Sequence, residues 1–478
     1  MSDENDVCFL EAKELVSRYK NRALSPVEVT KSVLNRIERL EPHVNAFALL
    51  DREAALEAAR QSERRWAKGD PLGLVDGVPA AIKDLILTKG WPTLKGSRST
   101  ISDQAWSEDS PATARLREHG AILLGKTTTA EFGWKGLADC PATGITRNPW
   151  NLAFTPGGSS GGSATAAALG LGQLHVATDG GGSGRMPAAH CGAFGFKQTF
   201  GRVAVYPYSQ NGTLFNVTPL TRSVSNAALL LDVIARPDPR DWHSLPASDM
   251  SWSDGLDDGI AGLRIAFSPT LGYADVDPEV SSIVADAVKV FVDLGGVVDE
   301  VDPGIENPLP IFRTFWAAGA AKLLASLGPR RALTELGLQD VAEEGAKLDA
   351  VCYVEAMEKR EALGRHFIQF HQDWDLLITP MTAKPPSEIV ESSVGLGVRT
   401  VLPPFTYLSP FAYPFNLTQQ PAASIPCGFN SAGLPVGLQV VAAKYRDATV
   451  LRAARAFERA RPFARPKDPT KRAMALNV

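Results

Sequence analysis

The chain has no surplus of either charge. Its 49 lysines and arginines stand against 53 acidic residues, a net charge of -4 at neutral pH with a pI near 6.0, so the basic footprint of a nucleic-acid binder is missing. No uncharged apolar run reaches the length of a bilayer span, and no membrane association is expected. The N-terminus carries three acids before Val7 where a secretory signal would carry a basic region and an apolar run. Cysteine is sparse: Cys8, Cys140, Cys191, Cys352 and Cys427 are odd in number and scattered, with no C-x-x-C and no histidine at metal-ligand spacing. A reducing, cytoplasmic setting without a metal is the expectation. Internal repeats and low-complexity segments are absent too.

What is present suits a packed globular protein of 478 residues, with 44% hydrophobic and 21% charged side chains. Ser25-Pro26-Val27-Glu28 places a cap residue, a proline at the first helical position and a glutamate at the third, and Val29, Val33, Leu34 and Ile37 follow at helical spacing. Residues 1–72 read as a helical N-terminal segment. The run VPAAIKDLILT within Gly73–Thr88 reads as a buried strand carrying Lys83. Further on, short apolar strands at 121–124, 174–178 and 263–267 alternate with helices, which predicts the α/β class: a single large α/β/α domain, one sheet covered by helices on both faces. Asp277-Pro278-Glu279 opens an amphipathic helix that ends before a strand at Val297-Val298. Residues 305–375 contain a charged helical insertion, the kind of segment that shapes a substrate pocket, and the basic residues after Arg461 read as a poorly packed tail.

The most unusual composition lies between Thr155 and Arg185, where two glycine-dense loops, each with serine, flank an Ala-rich helix and a short strand. Glycine at this density weakens regular structure. Flexible surface loops are one explanation. The other is that successive glycines let backbone N–H groups converge on one point, as an oxyanion hole requires. Asp179-Gly180-Gly181-Gly182-Ser183 offers such donors together with a hydroxyl. A serine needs a base to become nucleophilic. None of the seven histidines sits in a pattern that recommends it, and each reads as a surface or core-edge residue. Lysine serves if burial keeps it neutral, and Lys83 is the one charged residue between Asp76 and Asp84. Two G-x-S-x-G matches around Ser159 are weak because Thr155-Pro156, not a strand, precedes them. The formal P-loop pattern from Gly120 to Thr127 encloses Ala-Ile-Leu-Leu, which belongs in a buried strand, so nucleotide binding there is rejected.

With these pieces placed, the chain resembles the amidase signature family of Ser-Ser-Lys hydrolases, bacterial amidases and aryl acylamidases in particular, from about Leu24 to Phe457. The core of the resemblance, within 73–230, runs from Gly157-Gly158-Ser159-Ser160-Gly161-Gly162 to Asp179-Gly180-Gly181-Gly182-Ser183-Gly184-Arg185. Gly77-Val78-Pro79, Lys83-Asp84, Glu131-Phe132, Asn148-Pro149-Trp150, Asn416-Leu417-Thr418 and Gly433 to Gln439 support it in order. The resemblance implies a mixed central sheet, Ser183 as nucleophile, Ser159 as proton relay behind a cis Gly158-Ser159 peptide, and Lys83 as base. It further implies oxyanion donors on the backbone of Gly180, Gly181, Gly182 and Ser183, bracing of that loop by Asp179 and Arg185, and no metal or cofactor. A plain surface ion pair is the alternative for Asp179 and Arg185. Gly180 and Gly184 replace the family's bulkier flanks, which is expected to widen the site, and Gln419-Gln420 replaces a more usual Gly-Gln.

The expected partner is a small amide. Phe132, Trp134 and Trp316, with Trp91, Phe215, Phe405 and Tyr407, suggest a pocket for aryl or bulky apolar groups, although such aromatics also build ordinary cores. A homodimer is entertained as the assembly. The rival functions are one component of a glutamine-dependent amidotransferase, a non-catalytic ligand-binding relative and a Ser-His-Asp esterase.

Overall fold

The computed structural model describes residues 6–390 and 409–470. In chain order its elements are α1 (Ala12–Lys20), α2 (Pro26–Val44), β1 (Phe47–Leu50), α3 (Arg52–Lys68), β2 (Pro79–Lys83), α4 (Pro111–Glu118), β3 (Ile122–Thr127), β4 (Asp139–Cys140), β5 (Gly144–Ile145), α5 (Gly161–Ala168), β6 (Leu174–Asp179), α6 (Arg185–Cys191), β7 (Phe194–Lys197), β8 (Asn216–Thr221) and α7 (Val224–Ile234). They continue with β9 (Arg264–Phe267), α8 (Pro278–Asp293), β10 (Val297–Glu300), α9 (Leu309–Leu327), α10 (Leu336–Gly345), α11 (Ala350–Asp373), β11 (Leu376–Pro380), α12 (Tyr413–Leu417), β12 (Ala422–Phe429), β13 (Pro435–Ala442) and α13 (Asp447–Ala460).

Among the described residues eleven strands form one sheet, ordered β1-β3-β2-β6-β8-β7-β12-β13-β11-β9-β10. Parallel pairs lie on the two flanks, β3-β2-β6 and β11-β9-β10. The antiparallel centre runs through β8, β7, β12 and β13, so the sheet is mixed. Strand alternation sends successive side chains to opposite faces, and the core divides accordingly. Ala80, Ile82, Ile265, Ile378 and Val440 pack under α4, α7, α8 and α13. Ala81 and Ala177 on the other face meet α2, α3, α5 and α6, while Ala266, Leu377 and Val441 meet α9, α11 and α12. Lys83 lies two residues beyond Ala81 and so belongs to the α5 face.

Local signals account for several elements. Ser25 accepts from the Glu28 N–H and Glu28 reaches back to the Ser25 N–H, the reciprocal capping box, and Val29, Val33, Leu34 and Ile37 are buried below it. The P-loop-like stretch is β3, buried throughout, with the Lys126 ammonium spent on the Ile86 carbonyl and Thr93. The insertion consists of helices α9, α10 and α11, without a strand.

One expectation needs correction. The N-terminal segment is not wholly helical, because Phe47–Leu50 between the left-handed Asn45 and the Asp51 cap is too short for a helix and pairs with β3 as the sheet edge. The tail after Arg461 is loosely packed where it is described, with Pro462, Ala464, Arg465 and Lys467 exposed, and is held at three points: Phe463 against the main core, Arg465 4.6 Å over the Phe9 ring, and Asp468 paired with Arg39. Removing the α2 cap by Ser25→Ala is expected to cost about 1 kcal/mol, seen as a lower urea midpoint at unchanged slope.

Candidate active site

β2 ends at Lys83, whose side-chain amine has no solvent contact. Three hydroxyls surround Nζ: Ser159 Oγ at 2.7 Å, Ser160 Oγ at 2.7 Å and Thr178 Oγ1 at 2.8 Å. Burial drives its pKa far below the ordinary 10.5, and the nearby negative charge of Asp179 only partly opposes this. The serines come from the turn before α5, where the Gly158-Ser159 peptide is cis, as the resemblance implies. Thr178 comes from the end of β6, the strand beside β2. Ser160 donates its own proton to the Thr178 carbonyl at 3.1 Å, whereas Ser159 Oγ has no hydrogen-bond partner besides Lys83 among the described residues. Ser160 N–H donates to the Ser183 carbonyl at 3.3 Å and joins the two glycine-rich loops.

The turn after β6 carries Ser183, and it is shaped by one ion pair. Arg185 Nε and an Nη lie 2.9 Å from the two oxygens of Asp179, and both residues are fully buried. Asp179 also accepts from the N–H groups of Gly182 at 2.8 Å, Gly184 at 3.2 Å and Arg185 at 3.3 Å. Burial alone would raise its pKa, but Arg185, Asn416 and Lys197 together hold it below the usual carboxylate range. Arg185 reaches onward to Gln439 Oε1 at 2.6 Å, Asn416 Oδ1 at 2.7 Å and the Ala412 carbonyl at 3.2 Å. The bracing expectation for this pair fits the geometry, and the surface-pair alternative does not. Because the Gly182 N–H is already spent on Asp179, it is unavailable as an oxyanion donor. Gly180, Gly181 and Ser183 keep N–H groups without a hydrogen bond among the described residues.

The expected widening at the glycine flanks is not seen. A β-carbon on Gly180 would meet Trp316 at 3.3 Å and Asn211 at 3.6 Å, and one on Gly184 would meet Thr218 Oγ1 at 2.8 Å. The space is filled, in part by Trp316 from α9. On the other side a β-carbon on Gly133 would come within 3.1 Å of Ser159 Oγ, which puts the 131–135 turn beside that serine. Phe132 in that turn packs on Ala320, Leu324, Leu338 and Ala342 of the insertion. Trp134 donates its indole N–H to Glu335 and lies against Gly337. Glu335 caps this attachment: its carboxylate takes Lys135 Nζ at 2.7 Å and its N–H donates to Glu131 at 2.7 Å. Burial pushes Glu131 up to about 7. For Lys135 burial pulls downward, but Asp139 and Glu335 outweigh it and the ammonium is stabilised.

Of the other aromatics, Trp91 and Phe215 belong to the main core, with the Trp91 indole bonded to Asp51, and they do not reach the site. Phe405 and Tyr407 lie outside the described residues. His175 and His190 are fully buried, not surface or core-edge residues, and burial lowers both to about 4. Among the described residues no three His, Cys, Asp or Glu side chains cluster as metal ligands, and no helix is long and apolar enough to cross a membrane. Sequence reasoning missed Ser160 and Thr178 as partners of Lys83. Ser160 stands inside the motif that singles out its neighbour Ser159, and only the structure shows that both hydroxyls face the amine.

This architecture is that of an amide hydrolase. A family model described as Amidase matches residues 28–451, and the chain belongs to that family. An acylamidase from Rhodococcus erythropolis is 34% identical over 97% of this chain and 98% of its own. A glutamyl-tRNA(Gln) amidotransferase component from Geobacter sp. (strain M21) is likewise 34% identical, over 97% of this chain and 100% of its own. Among solved structures, a bacterial aryl acylamidase of the amidase signature enzymes superposes with a TM-score of 0.87 at 30% identity, covering 95% of this chain and 96% of its own. The 6-aminohexanoate cyclic dimer hydrolase, complexed with substrate, gives 0.87 at 26% identity, covering 97% and 100%.

Asp179→Asn removes the counter-charge of a buried guanidinium, and losses of about 3–5 kcal/mol follow from breaking such a pair on one side. Guanidinium unfolding of the variant should show that loss, with activity falling because the Ser183 turn is no longer held.

Proposed function

We propose that Ser183 attacks the carbonyl carbon of a carboxamide while its proton moves to Ser159 Oγ and the Ser159 proton moves to Lys83 Nζ. The observation that carries this is the 2.7 Å contact between a solvent-free Lys83 and Ser159 Oγ. A neutral amine has two N–H donors and one lone pair. Ser160, whose proton is committed to the Thr178 carbonyl, and Thr178 can accept the two N–H groups. Ser159 is then left to donate into the lone pair, which is the direction a base requires. The negative oxygen that forms would be met by the free N–H groups of Gly180, Gly181 and Ser183. Collapse breaks the C–N bond as Ser159 returns a proton to the leaving nitrogen, and water, deprotonated by the same relay, hydrolyses the ester on Ser183.

Trp316 against Gly180 favours aryl or bulky apolar amides, in line with the acylamidase likeness. The second reading, ammonia release from glutamine for a partner enzyme, is favoured by the amidotransferase likeness. Assaying glutamine beside anilides and aliphatic amides separates the two, since the second reading requires glutamine turnover to rise on addition of partner proteins.

Ser183→Ala is expected to lower kcat/KM on any turned-over amide by about 10⁴-fold or more, measured as amine or ammonia release. The pH dependence has a definite sign. The working lysine is neutral, so kcat/KM should rise as pH climbs through its depressed pKa and fall below it. Between that depressed pKa and 10.5 the unfolded chain holds this lysine protonated and the folded chain does not, so folding expels a proton and stability rises with pH. Lys83→Met should therefore abolish turnover yet unfold at higher denaturant than wild type at pH 7. That advantage should shrink as pH approaches 10.5, the ordinary lysine value.

A further inference from the structure

A cleft of about 1280 Å³ opens between α9 and α11, floored by the 208–213 loop and by residues 417–420. Pockets of about 300–1,000 Å³ already hold drug-sized ligands, so this one is ample for a ring. Its walls are preformed. Phe315 of α9 and Tyr353 of α11 meet edge to face with centroids 5.1 Å apart. The Arg360 guanidinium lies 5.3 Å over Phe315 and bonds the Leu417 carbonyl at 2.7 Å and Thr213 Oγ1 at 2.6 Å, which ties α11 to the floor.

The inner end of the cleft meets the nucleophile turn at one residue. Asn211 lines the cleft, and its amide nitrogen lies 3.6 Å from where a β-carbon on Gly180 would sit. Gly319 on α9 makes this possible, because a β-carbon there would fall 3.0 Å from Asn211 Oδ1 and 2.7 Å from the Gln210 carbonyl. The Asn211 carboxamide makes no side-chain hydrogen bond among the described residues, so a donor and an acceptor stand free beside Gly180, three positions before Ser183. An aromatic wall leading to an unspent amide beside the reacting loop is what a substrate with a ring attached to its carboxamide needs: burial for the ring and polar contacts where the amide group enters.

We propose that this cleft receives an aromatic group joined to the scissile carboxamide, and that Asn211 hydrogen-bonds the substrate as it passes from the cleft to Ser183. The proposal rests on the assignment of Ser183 as nucleophile. The ring has two chemical sources, the leaving amine or the acyl group, and two probes tell them apart: acetanilide carries it on nitrogen and 4-phenylbutyramide on the acyl chain, with acetamide as the ringless reference.

The experiment compares kcat/KM for the three amides in wild type, Asn211→Leu, which plugs the inner end, and Tyr353→Ala, which removes a partly exposed wall residue without burying anything new. The expected result is a preference of wild type for at least one aromatic amide over acetamide. The ratio of aromatic to acetamide kcat/KM should then fall at least tenfold in Asn211→Leu and severalfold in Tyr353→Ala. Whichever aromatic probe loses its advantage identifies the half of the substrate in the cleft. Ratios that stay within twofold of wild type in both variants, or a wild type that prefers acetamide, overturn the proposal. Ser183→Ala, assayed on the same three amides, tests the underlying reading separately, since turnover surviving there would overturn the nucleophile and not the cleft.

Discussion

The buried pair between Asp179 and Arg185 is the interaction on which the site depends. Taking a carboxylate and a guanidinium out of water is costly, and only full hydrogen bonding on both sides makes it tolerable. Here the demand is met almost entirely by groups that must themselves be placed: three backbone N–H groups of the Ser183 turn on the Asp179 side, and Gln439, Asn416 and the Ala412 carbonyl on the Arg185 side. Satisfying the charges and shaping the turn are the same event. A loop with glycine at 180, 181, 182 and 184, which left alone would sample many conformations, is thereby given one.

Lys83 poses the opposite problem. It has no carboxylate in contact, only hydroxyls, and burial drives its pKa far below the ordinary lysine value. The sheet thus holds two kinds of buried charge site side by side: one in which opposite charges are retained and locked, and one in which burial disfavours the charge and hydroxyls alone surround the amine. Perturbed lysines of this kind recur where chemistry is done.

How much of this is legible in the chain depends on distance along it. The capping box at Ser25, the buried strand carrying Lys83, the helix opened by Asp277 and the two glycine-serine loops are readable because each is a local pattern. The P-loop-like stretch can be dismissed because Ala-Ile-Leu-Leu can only be strand interior. Ser160 and Thr178 escape notice, since a hydroxyl gains its role from the amine beside it and Thr178 lies 95 positions from Lys83. The Gly182 N–H reads as a free donor because nothing in D-G-G-G-S shows the aspartate turning back onto its own loop. The attachment of the insertion at Lys135 and Glu335 spans 200 residues and has no local signature. Widening at Gly180 follows naturally from its missing side chain, but the vacated volume belongs to Trp316 on a helix whose register only the tertiary packing sets.

The reach of Arg185 into residues 412–439 also bears on the order of events during synthesis. When the ribosome has made the first 200 residues, the lysine, both glycine-rich loops and the serines already exist, yet the partners of the guanidinium, 227, 231 and 254 positions beyond Arg185, are still to be made. The scaffold of the 179–185 turn is therefore complete only once residues 412–439 have been made.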